Sequence, residues 1–126
     1  MSTDRIRWSV QSGRRRGGWS QEEAGTAALP EAHARDIALA VLAAHLMAVD
    51  HDADLDDRRA MVTVPDGIAQ RVLSVVTEDD LERHLRESGY YPGRREAAPH
   101  FPSKVVAALP LDLRDELYRV GAPGYS

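Results

Sequence analysis

Residues 61–76 read Met-Val-Thr-Val-Pro-Asp-Gly-Ile-Ala-Gln-Arg-Val-Leu-Ser-Val-Val, and the way they fold decides the class of the chain. Two readings compete. Ile68, Val72, Val75 and Val76 fall at i, i+4, i+7 and i+8, the stripe of an amphipathic helix. The same segment is rich in β-branched residues and carries Pro65-Asp66-Gly67 between two apolar runs, which suits a hairpin. The stripe favours the helix, and with it an all-α fold. That fold is a compact bundle of about five helices over residues 30–126, preceded by a basic, extended N-terminal arm over residues 1–29.

The flanking segments extend this reading. Upstream, Pro30 suits a first helical turn, and residues 30–49 are apolar on nearly every side from Ile37 onward, as in a central core helix. Met61 to Val64 reads as a short strand or an extended link. Downstream, Thr77 can cap a helix whose first turn holds Glu78, Asp79 and Asp80, and Gly89 stops it. Residues 89–102 contain three prolines and read as a long loop. Ser103 to Leu109 and Leu113 to Val120 complete the helices. Within the arm, Ile6, Trp8 and Val10 alternate with polar residues, which is strand spacing. Residues 12–18 read as a flexible connector. Ser20 with Glu23 resembles a capping box for a short helix over residues 21–28.

The chain has 126 residues and a mass of 13.9 kDa, one ordinary domain on the usual scale of about 100–200 residues. It holds no cysteine, which excludes disulfides, zinc–thiolate sites, iron–sulfur clusters and thiol nucleophiles. The net charge of −4 is uneven. Residues 1–19 carry five arginines against Asp4, and the acidic excess lies entirely beyond them. That split points to an interaction tail. Arginine far outnumbers lysine, with Lys104 the single example, and with the abundant alanine this reads as the signature of a high-GC, bacterial genome. No apolar leader is visible, and Ile37 to Val49 falls well short of the roughly 20 residues of a membrane span. The expected protein is soluble and cytoplasmic, with no membrane partner.

Known catalytic patterns are absent. The chain has no Gly-x-Ser-x-Gly elbow, Ser-x-x-Lys, Walker loop or Gly-x-Gly-x-x-Gly. Glu22-Glu23, Asp56-Asp57 and Asp79-Asp80 are paired carboxylates, but neighbours on a helix point apart. His45, inside the apolar run, has Val41 and Val49 at i−4 and i+4, so no one-helix metal pair exists. A core histidine bonded to a backbone carbonyl is the expectation. No catalytic residue is assigned, and a non-enzymatic role is favoured.

The acidic segment 50–57 is the unusual feature. Asp50, Asp52 and Asp54 alternate as the first ligands of a calcium loop would, but Leu55 and Met61 stand where an EF-hand needs glycine and bidentate glutamate. The run from Leu46 to Arg58, an apolar helix end followed by an acidic turn, resembles the tellurite-resistance TerB-like helical domains, with His51 where glycine is typical. That resemblance implies a helical domain, and the alternating aspartates offer oxygen ligands for a divalent cation at Asp50, Asp52 and Asp54. No other cofactor is expected. A solvated helix connection is the competing account.

Two segments concentrate contact chemistry. The arm offers Trp8, Arg14, Arg15, Arg16 and Trp19, charge with stacking surfaces. The 89–102 loop offers Tyr90, Tyr91, Arg94, Arg95 and Phe101, types enriched at interfaces. The leading expectation is a small accessory subunit that docks on a protein partner, or on a second copy, through arm and loop. A divalent-metal domain is the alternative, and nucleic-acid binding through the arm is a weaker one.

Overall fold

The computed structural model describes residues 5–13, 18–48, 57–89 and 97–118. Strands β1 (Ile6–Gly13) and β2 (Trp19–Ala27) lead through a 3-10 turn at Glu31–His33 into helix α1 (Ala34–Ala48). Strands β3 (Asp57–Asp66) and β4 (Ala69–Thr77) follow, then α2 (Glu78–Glu87), a 3-10 turn at Ala98–His100, α3 (Ser103–Ala107) and α4 (Leu111–Tyr118). The four strands form one antiparallel sheet in the order β2-β1-β3-β4. This is an α+β fold. The all-α bundle with an extended arm is therefore corrected, and so is the helical fold implied by the TerB-like resemblance. Residues of the expected arm supply half of the sheet.

The deciding segment is a hairpin. Asp66 pairs with Ala69, and the two-residue loop between them opens with Gly67 at φ +66°. That backbone region costs glycine little and other residues much. Ile68, the first residue of the apparent helical stripe, is fully exposed at the turn. The rest of the stripe has a structural cause. Val62 pairs with Ser74 but Thr63 pairs with Val72, so Leu73 is an extra residue in β4. The bulge shifts the two-residue alternation. Val72 and Val75 then share one face at a spacing of three, which an unbroken strand would not give.

Strand β2 hides in the same way. Val10 pairs with Glu23 and Gln11 with Gln21, leaving Glu22 as the extra residue. The sequence Gln-Glu-Glu-Ala favours helix by propensity, but pairing with β1 overrides it. Both edges of the sheet are thus bulged, a feature that discourages strand-to-strand addition of other chains.

One sheet face is covered. Ile6, Trp8 and Val10 of β1, Ala60, Val62 and Val64 of β3, and Val76 of β4 are buried. α1 packs on β1, β3 and β4, and α2, α3 and α4 pack around α1. Ile37 to Ala44 are all buried, which explains a helix without a polar face. α2 begins at Thr77, whose hydroxyl accepts from the Asp80 backbone N–H at 3.2 Å while the Asp80 carboxylate accepts from the Thr77 backbone N–H at 2.9 Å. This is a reciprocal capping box.

The two tryptophans each lie across a glycine on the neighbouring strand. Trp8 pairs with Gly25, where a Cβ would come 2.5 Å from Cζ2 of the indole. Trp19 pairs with Gly13, where a Cβ would come 2.9 Å from Cε3. Strand glycines shielded by a cross-strand aromatic are a recognised stabilising device. Trp8 does this on the covered face and Trp19 on the open one.

Candidate functional site

At the end of the covered face, three elements bring charges together. The Glu22 bulge turns both Glu22 and Glu23 toward α1, although adjacent strand residues ordinarily point to opposite faces. His45 of α1, 9 % exposed, lies between them. Its Nδ1 is 2.9 Å from Glu23 Oε1 and its Nε2 is 2.7 Å from Glu22 Oε1. Arg58 of β3, 5 % exposed, donates from Nε to Glu22 Oε1 at 2.7 Å and from Nη2 to Oε2 at 3.3 Å. The Arg58 backbone N–H donates to Glu78 Oε2 at 2.9 Å. His45 thus meets carboxylates rather than the expected backbone carbonyl. The sequence signal was available: a lone polar ring in an apolar run needs a partner. That Glu22 and Glu23 are the partners depends on the bulge.

The Arg58 hydrogen bonds hold the Glu22 carboxyl below its ordinary 4.5, partial burial opposes them, and His45 and Ser12 add further hydrogen bonds. Asp80 is also held below its ordinary 3.8, chiefly by the Thr77 backbone N–H. A carboxylate lowered in the folded state stabilises it above the unfolded pKa, and that contribution is lost as pH falls through the folded value. Denaturant midpoints should therefore decline once pH drops below about 4.5. Glu22→Gln should lower the midpoint near neutrality and flatten that acid limb. An acid limb of unchanged steepness in this variant would remove Glu22 from its cause.

The cluster is poorly suited to metal or catalysis. The ring nitrogens face opposite ways, so the two carboxylates do not converge with His45 on one ion. Both nitrogens are occupied, which leaves none for a substrate proton. Among the described residues no group of three or more His, Asp or Glu is placed to hold a metal. Asp50, Asp52 and Asp54 lie outside the described residues. Among the described residues no helix is long and apolar enough to cross a membrane.

The second candidate is the open sheet face. By register it carries Trp19, Gln21, Ala24 and Thr26 of β2, Arg7, Ser9 and Gln11 of β1, Arg59, Met61 and Thr63 of β3, and Val72 and Val75 of β4. Trp19 is 44 % exposed, and Val72 and Val75 are exposed as well. The Arg59 guanidinium stacks 4.1 Å above the Trp19 ring and donates from Nε to Gln11 Oε1 at 2.8 Å. The same face holds a depression of about 450 Å³, bordered by Arg7, Gln11, Gln21, Met61, Thr63 and Gln70.

The remaining contact candidates are scattered. Trp8 is 2 % exposed and belongs to the core. Phe101 is buried and stacks on His84 with centroids 5.2 Å apart. Arg14, Arg15, Arg16, Tyr90, Tyr91, Arg94 and Arg95 lie outside the described residues. Of the ten, Trp19 alone is placed at an open surface among the described residues. Arg7, Arg59, Met61, Val72 and Val75 share its face: the valines escape a sequence reading because the bulge gives them helical spacing, and the other three because no local pattern shows that β1 and β3 are neighbours.

No protein-family model matches this chain, no curated protein matches it in sequence, and no solved structure matches it in fold.

Proposed function

We propose that this chain is a non-catalytic docking domain that receives an acidic, apolar-anchored segment of a partner protein on the open face of its sheet. The observation that carries this reading is the composition of that face. Trp19, Met61, Val72 and Val75 are apolar and share that face with Arg7 and Arg59, while Asp57, paired with Gly13 at the rim, is its one carboxylate among the described residues. Exposed apolar groups flanked by arginine are typical of the central residues of interfaces. The accessory role expected from the sequence is kept, and its contact surface moves from an arm to a sheet. Self-docking face to face would oppose Arg7 and Arg59 with their own copies, and the bulged edges disfavour pairing in line. A nucleic acid would bring a dense anion to a chain whose remaining charge is negative.

The test is NMR titration of the full chain with a short Leu/Glu-rich peptide, its Leu/Lys counterpart, and single-stranded oligo-dT. The acidic peptide should shift amide resonances of β1, β2 and β3, with affinity falling as salt rises. Trp19→Ala should weaken binding by about thirtyfold, a hot-spot loss near 2 kcal/mol, without changing the free energy of unfolding by more than about 1 kcal/mol. Equal shifts with the basic peptide, shifts with oligo-dT alone, or no shift at all would overturn the reading.

A further inference from the structure

We infer that His45 is a proton-operated clasp that fastens edge strand β2 to helix α1. The argument is a count of hydrogens. A neutral imidazole has one N–H and one lone pair, whereas the imidazolium has two N–H groups. His45 has a carboxylate oxygen within hydrogen-bond distance of each nitrogen, at 2.9 and 2.7 Å. Ionised carboxylates only accept. With a neutral ring, one of these contacts would set a lone pair against a carboxylate oxygen. The doubly protonated ring satisfies both.

The groups facing the ring agree with this assignment. β2 contributes Glu22 and Glu23, β3 contributes Arg58, and β1 contributes the Ser12 hydroxyl on Glu22. From α2, Glu78 accepts from the Arg58 backbone N–H rather than from the ring. Among the described residues the two carboxylates that touch the ring are Glu22 and Glu23, and an imidazolium between them offsets negative charge that a neutral ring would leave in place where His45 and Arg58 are almost fully buried. Charge left unpaired at such a site is costly.

Position makes the proton consequential. Among the described residues β2 has a ladder partner on one side only, and α1 packs on the other three strands. The His45 contacts therefore tie α1 to a strand otherwise held mainly through β1. The clasp is closed while the ring carries both protons and opens when the second proton leaves. Inward residues Glu22 and Glu23 share β2 with outward Trp19 and Gln21, so the same proton tightens one wall of the open face. That last link rests on the docking reading, but the clasp does not.

The experiment follows the full chain by NMR across pH, with no ligand. Ring nitrogen shifts report whether His45 is doubly or singly protonated, and amide exchange, corrected for its intrinsic pH dependence, reports β2. Double protonation on the acidic side is expected. Protection of β2 should fall about tenfold or more as the second proton leaves, the scale of one charge-assisted hydrogen bond. His45→Gln supplies one donor and one acceptor at all pH values and should abolish that step. A singly protonated ring throughout, or ring titration with unchanged β2 protection, would overturn the clasp, and the wild-type titration decides even if the variant does not fold. Loss of peptide binding alone would bear on the docking face and not on this device.

Discussion

Trp8→Ala should destabilise the protein by about 3–5 kcal/mol, the usual loss for truncating a buried tryptophan. The indole fills the covered face between β1, β2 and α1, and Gly25 has no side chain with which to close the gap. Collapse of the strand pair would be needed to recover the space, and the ladder resists it. Trp8→Phe separates two contributions. It keeps most of the apolar volume and removes an indole N–H that has no hydrogen-bond partner among the described residues. An unpaired buried donor costs about 1–3 kcal/mol, so the phenylalanine variant should lose far less than the alanine variant. Urea unfolding followed by circular dichroism measures both. Equal losses would mean that the retained ring volume contributes nothing at this position and would overturn this account.

Arg58→Met is the second large effect, with an expected cost of about 2–3 kcal/mol. Removing one member of a fully buried ion pair costs about 3–5 kcal/mol because the other charge is stranded. The Glu22 side chain is 27 % exposed, so water screens part of that penalty. The double variant Arg58→Met with Glu22→Gln removes the stranded charge as well. It should recover part of the loss, giving a coupling energy of about 1 kcal/mol or more. Additive losses would show that Arg58 contributes through its stem and not through Glu22.

Local chemistry was legible wherever it decided the outcome. Alternation at Ile6, Trp8 and Val10 identified β1, the apolar run after Pro30 became α1, and Thr77 caps α2 as its neighbours suggested. Gly89, at φ +88°, closes that helix. The elements that escaped were the two outer strands, each carrying a bulge. One extra residue was enough to make Val72 and Val75 imitate a helical stripe, and Glu22-Glu23 lay in a stretch of good helix formers. The charge cluster was illegible for a further reason. Glu22 and Arg58 are 36 residues apart, and no local pattern links them until β1 has paired with both β2 and β3.

The opposed placement of the two indoles also equips the protein with two intrinsic optical reporters. Trp8, shut away from water, should emit at short wavelength and shift to the red only when the domain unfolds. Trp19 lies open to solvent beneath a guanidinium, and its emission should respond to anything that settles on the sheet. With Trp8→Phe and Trp19→Phe as single-reporter variants, folding and docking become separately visible in one cuvette, without a label.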